Sequence, residues 1–180
     1  MAEILKEYTN LLETSPSKAI DYVKQNKEDI NKFLDSDELI LNAKVRFLEQ
    51  YPNEFESIKQ EVLSIENLFT SHSAIICNFL IKSKGHMTLE EEQTLESKLL
   101  ANPTRFSVMY FITQKADEIS NLKIKEQLEQ PYLDFAKQVI EKTLLNINKQ
   151  EKDQLTRFIA MDMERSDISN KAFDIARSLL

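Results

Sequence analysis

The chain has 180 residues, 30 Asp and Glu against 23 Lys and Arg for a net charge of −7, one glycine and one cysteine. Set against a usual glycine share of about 7%, this leaves almost no residue suited to the positive φ of tight hairpins, which argues against an all-β or Rossmann-like fold. It also rules out a phosphate-binding glycine loop, a dinucleotide fingerprint and a Gly-x-Ser-x-Gly elbow, while the lone Cys77 rules out an intramolecular disulfide and a thiolate zinc cluster.

Hydrophobic residues make up 42% of the chain and charged residues 29%, enough apolar surface to close a core. The expectation is one all-α domain over residues 1–180, with a hinge point at 85–88. About ten helices would stack as antiparallel hairpins around a long central helix, in a bundle or short solenoid-like array.

In chain order, residues 2–13 form a short amphipathic helix with Ile4, Leu5, Tyr8, Leu11 and Leu12 on one side. Ser15 followed by Pro16 reads as an N-cap with proline at the first helical position, where its missing N–H costs nothing. A brief helix then turns Ile30, Phe33 and Leu34 inward. Ser36 is placed to cap the next helix, which Pro52 ends by pushing its predecessor out of the α region.

From Asn53 to Gly85 the chain carries one stripe of Phe55, Ile58, Val62, Ile65, Phe69, His72, Ile76 and Phe79, spaced by threes and fours. The spacing predicts a continuous helix over about 54–84, capped by Asn53, in preference to the alternative of a break at Thr70-Ser71 with Ser71 capping a second segment. Residues 67–81 carry no charge, which predicts burial on all sides. Gly85, after Lys82 and Lys84, is a helix stop signal.

Thr88 and Glu91 make a capping box that opens a helix over 89–101, and Asn102-Pro103 ends it. Residues 104–119 would suit a buried strand or a buried helix; with no partner strand elsewhere, a mostly buried helix is predicted. Ser120 can cap a short helix to Glu129, after which Pro131 resets the chain. Three more helices follow, over 132–147, 150–164 and, capped by Ser166, to Leu179. An aromatic–aliphatic–x-Gln motif starts at Tyr22, Phe47 and Phe111, but the unequal spacing does not make a solenoid repeat, and the tetratricopeptide pattern is absent.

The candidate site residues are His72, Asn67 and Ser71, with His72 in the middle of the apolar stripe among small polar groups. Such a histidine can serve a buried pocket as a ligand contact or general base, or be a hydrogen-bonded core residue. His86 reads as a solvated loop residue, and Cys77 as a buried apolar one. No catalytic residues are assigned. Glu-x-x-His and His-Glu-x-x-His are missing, and Asp162, Glu164 and Asp167 lack the turn glycine of a calcium loop, so no metal or other cofactor is expected.

The function expected is a non-enzymatic helical protein-interaction module, an adaptor, regulator, inhibitor or effector whose partner is another protein of unknown identity. A small-molecule sensor or enzyme with a pocket near His72 is the alternative. Third is a nucleic-acid-binding regulator acting through the 150–179 helix pair, disfavoured by the acidic field and by the acids interleaved among its cations. The N-terminus lacks the apolar core of a signal peptide, and the uncharged run is too short and polar to span a bilayer. A soluble, cytoplasmic protein is therefore expected, of undetermined oligomeric state.

Overall fold

The computed structural model describes residues 1–180 and contains no strand, and side chains of Asp35, Thr88, Thr104, Asn148 and Ser166 cap helix starts in it. The α-helices are α1 (Ala2–Thr14), α2 (Pro16–Gln25), α3 (Lys27–Ile30), α4 (Ser36–Arg46), α5 (Phe55–Leu63) and α6 (Thr70–Lys82), then α7 (Leu89–Ala101), α8 (Arg105–Tyr110), α9 (Ala116–Ser120), α10 (Lys125–Asn146), α11 (Lys149–Ala160) and α12 (Asp167–Leu179). Two 3-10 turns, Leu48–Gln50 and Pro52–Glu54, lead into α5, and a π-helical stretch, Phe111–Lys115, joins α8 to α9. The all-helical class is as the composition dictates. No helix is long and apolar enough to cross a membrane.

The chain forms two compact units. One comprises Met1–Ile65 and Asn78–Glu91, the other Glu66–Cys77 and Glu92–Leu180. In the first, α1 packs on α2, α2 on α4 and α4 on α5, around Tyr8, Leu12, Ile20, Val23 and Ile30. The Tyr8 hydroxyl donates to Leu39 O at 2.9 Å and accepts from Asn42 Nδ2 at 3.3 Å, so the one polar atom of this aromatic is satisfied as it is buried. In the second unit, α10 and α12 pack on each other and on the α8–α9 run, and α11 covers α8 and α12. Phe111 meets Phe135 edge-on at 5.3 Å, and Phe158 lies 5.6 Å from Phe173.

The long central helix over 54–84 is not formed. Helix α5 stops at Leu63 and α6 starts at Thr70. Asn67 supplies the reason: its Nδ2 donates to Lys98 O at 2.8 Å and to Asn102 O at 3.3 Å, its Oδ1 accepts from Ser73 Oγ at 2.8 Å, and its backbone O accepts from Asn102 Nδ2 at 3.1 Å. Carbonyls at and just beyond the C-terminal end of α7 lack partners within that helix, and Asn67 reaches them from non-helical backbone. The stripe fails at the same place, where Leu68 is 62% and Phe69 65% exposed.

Smaller differences have similar causes. Asp35, not Ser36, caps α4, accepting from Asp37 N at 2.9 Å and Glu38 N at 3.2 Å, while Ser36 is buried as the first helical residue. Asn53 does not cap α5, because Pro52–Glu54 is already a 3-10 turn. Phe33, expected inside, is 60% exposed. Helix α4 ends at Arg46, well before Pro52, and α11 ends at Ala160 rather than 164. Thr88 and Glu91 do form the reciprocal capping bonds, at 3.2 and 3.0 Å, and Gly85 has φ +82°, the left-handed value of a helix stop.

Pro131 does not reset the chain. It lies inside the 22-residue α10, where it lacks the N–H that would bond to the preceding turn. The helix continues because Tyr132, Leu133, Ala136, Val139 and Ile140, just beyond it, are all buried. Interior proline costs a helix about 3 kcal/mol relative to alanine, part of which returns through the stiffer unfolded chain. Pro131→Ala is therefore expected to raise unfolding stability by about 1–2 kcal/mol in urea titrations followed by circular dichroism. An unchanged or lower midpoint would show that the ring makes contacts that matter.

Candidate functional site

Asn67, His72 and Ser71 all lie in the second unit, at the start of α6. Asn67 is buried and tied to α7 as described. His72 is half-buried in the first turn; its Nδ1 accepts from Leu68 N at 3.2 Å, which places the proton of the neutral ring on Nε2. Its ring lies 5.3 Å from that of Phe69. Ser71 is exposed. The geometry thus gives Asn67 and His72 work in shaping the α5–α6 connection.

A different set of residues lines a cleft of about 680 Å³ in the first unit: Leu48, Glu49, Pro52, Phe55, Lys82 and His86. The turns before α5 bring Leu48 and Pro52 to one side. Phe55 forms the floor, stacked on buried Phe79 at 5.9 Å and met edge-on by the His86 ring at 6.0 Å. Lys59 Nζ sits 5.9 Å from the centre of the Phe55 ring, a cation–π contact, and is itself held by Glu56 at 2.9 Å and Glu91 at 3.1 Å. His86 owes its position to the turn at Gly85, closed by His86 N donating to Ser83 O at 2.9 Å. On the rim, Lys82 Nζ stands 3.7 Å from Glu49 Oε2, an ion pair but beyond hydrogen-bond length.

Periodicity could not find this cleft, since its residues come from four separate elements and His86 lies outside any helix. One signal was legible: residues 67–89 contain no Asp or Glu but do contain Lys82, Lys84 and His86, an exclusively cationic stretch in an acidic chain.

A polar cluster in the second unit also went unread. Lys115, the last residue of the π-helical stretch, lies 3.1 Å from Glu92, 2.8 Å from Glu96 and 3.5 Å from Glu118. The Tyr110 hydroxyl donates to Glu96 at 2.9 Å. Burial works against the Lys115 charge, but the hydrogen bond to Glu96 and the charges around it hold the ammonium well above the usual lysine range. Burial pushes Glu96 the other way, upward, and Lys115 and Tyr110 only partly offset it. Glu96 is thus the strained member of the group. The π-helical stretch is braced besides by the Tyr132 hydroxyl, which donates to Phe111 O, and by Ser169 Oγ, which donates to Ile112 O at 2.6 Å. Lys115 offsets only part of the charge of the three carboxylates around it, and no group of three His, Cys, Asp or Glu is arranged to hold a metal ion.

Three cations of the 150–179 pair, Arg165, Lys171 and Arg177, have partners inside the fold. Arg165 lies over the Phe173 ring at 3.9 Å, Lys171 bridges Glu129 and Asp167, and Arg177 pairs with Asp174 at 2.7 Å. Cys77 is buried against Phe106, and burial raises its thiol far above the usual range. Comparison with protein-family models, with curated proteins and with solved structures finds no match for this chain.

Two outcomes follow from these environments. Lys115→Met leaves Glu96 buried without its cation and should destabilise the fold at neutral pH by roughly 1–3 kcal/mol, less than a fully buried pair would cost because the cluster is partly exposed. The folded-state pKa of Glu96 is already raised, so its ionisation opposes folding as pH climbs above the ordinary value of 4.5. The deficit of the variant should therefore grow from pH 4 to pH 7 in denaturant titrations; a deficit independent of pH would assign the loss to packing alone. The Cys77 thiol should react with Ellman's reagent at the rate of global unfolding rather than at the rate of a free thiol.

Proposed function

We propose that the chain is a non-enzymatic protein-interaction module whose partner lays a helix or peptide into the cleft of the first unit. The observation that carries this reading is the cleft itself: about 680 Å³ lined by apolar Leu48, Pro52 and Phe55, with the Lys82–Glu49 pair at its rim. An aromatic anchor ringed by polar groups is how interfaces concentrate binding energy in few residues, and a groove between short helical elements accepts an amphipathic helix by its apolar face. The volume also lies within the range of small-molecule pockets, which is the second reading.

Affinity purification of the tagged chain with mass spectrometry tests the proposal against two variants. Wild type and His72→Ala should retain the same partner at fixed stoichiometry. Phe55→Ser combined with Lys82→Glu, checked for helicity, should lose it by at least about tenfold, a factor equivalent to ~1.4 kcal/mol of anchor contact. Equal recovery on the cleft variant would place the interaction elsewhere.

A further inference from the structure

We propose that the cleft selects an acidic–apolar peptide, one that places a Leu, Ile, Phe or Met on the Phe55 floor and a carboxylate three or four residues away on Lys82. The inference rests on the reading of the cleft as a docking site and adds the chemistry of what docks.

Charge complementarity carries it. The α6 side of the cleft contributes only Lys82 and the neighbouring His86, from a 23-residue stretch, 67–89, without an acid. The opposite lip contributes Glu49, whose carboxylate stops 3.7 Å short of Lys82, and both side chains are about half exposed. At that distance the Lys82 ammonium makes no hydrogen bond to Glu49 and can form a direct, charge-assisted bond to a closer carboxylate. Glu49 then acts as a resident competitor that the ligand acid displaces. His86 adds a ring N–H donor on the same side.

The apolar requirement is equally local. Phe55 is half-buried, its inner face stacked on Phe79 and its edge covered by His86, so a single side chain of moderate size completes its coverage. On a helical ligand, residues three or four apart share a face, which brings one apolar and one acidic side chain to floor and rim together. The chain as a whole is acidic, with a net charge of −7, so a preference for acidic peptides cannot come from its overall field and has to arise at this rim.

The test uses a phage-displayed library of random 12-residue peptides selected on the full chain and, in parallel, on Lys82→Glu. Wild type should enrich Asp or Glu within four positions of a large apolar residue, and Lys82→Glu should enrich Lys or Arg instead. For the best wild-type peptide, fluorescence anisotropy should show about threefold weaker binding when its acid is changed to the amide, as an exposed ion pair permits. Glu49→Gln should tighten the same peptide by about threefold, because the competing carboxylate is gone. Identical selections on wild type and Lys82→Glu, or no gain from Glu49→Gln, overturn the proposal. If the selected peptides are not acidic but lose binding on Phe55→Ser, the docking site stands and the acidic preference falls. If no selected peptide responds to Phe55→Ser, both fall.

Discussion

One side-chain amide decides how the middle of this chain is arranged. Asn67 has two donors and an acceptor, and the fold uses all of them: Lys98 and Asn102 carbonyls on one side, Ser73 on the other. Each bond contributes about 1 kcal/mol net, and leaving any one unmade in the interior would cost more than that. The backbone at residue 67 that meets those partners is non-helical: the chain leaves the helix after Leu63 and re-enters it at Thr70. The break lets α6 begin in the second unit while its last turn, with Lys82, and the Gly85 turn belong to the first. Because α5 and α6 are separate helices, Phe55 and Lys82, which a continuous helix would hold near its opposite ends, line one cleft.

The helical class was legible because it depends on composition and on the near absence of glycine, and these act over the whole chain. Caps that work through a short side chain and its next two or three amides were legible too: Thr88 with Glu91, Ser166 with Ser169, the stop at Gly85. The central helix was misread because spacing by threes and fours stays in phase across a six-residue gap as easily as through a helix. Phase alone does not report that Leu68 and Phe69 face water. Pro131 was misread for the opposite reason. Its local cost is real, but five buried residues in the following turns outweigh it, and burial against other helices is invisible in a local rule.

The site was less legible than the fold. His72 stood out as the only polar break in an apolar stripe, and its role is local, accepting the Leu68 amide at the start of α6. Lys115 and its three glutamates come from α7, the π-helical stretch and α9, and the cleft joins residues separated by more than thirty positions. Both are products of how helices meet, which single-sequence periodicity does not encode. The one trace each left was electrostatic: acids clustered in the first turns of α7, and acids missing from the whole of 67–89.

The π-helical stretch at Phe111–Lys115 has a consequence for how this protein can vary over time. A π turn takes up one added residue within a single wide turn, so the helix on either side keeps its phase instead of turning by the roughly 100° that an extra residue would otherwise impose. Here the wide turn is held in place by Tyr132 and Ser169 on the buried carbonyls of Phe111 and Ile112 and by the acids around Lys115. A relative that had lost one residue from this stretch could keep the same packing on both sides of it, with a plain α-helix between. Such a pair would align only if a gap were opened in the middle of a buried helix, where gaps are ordinarily forbidden.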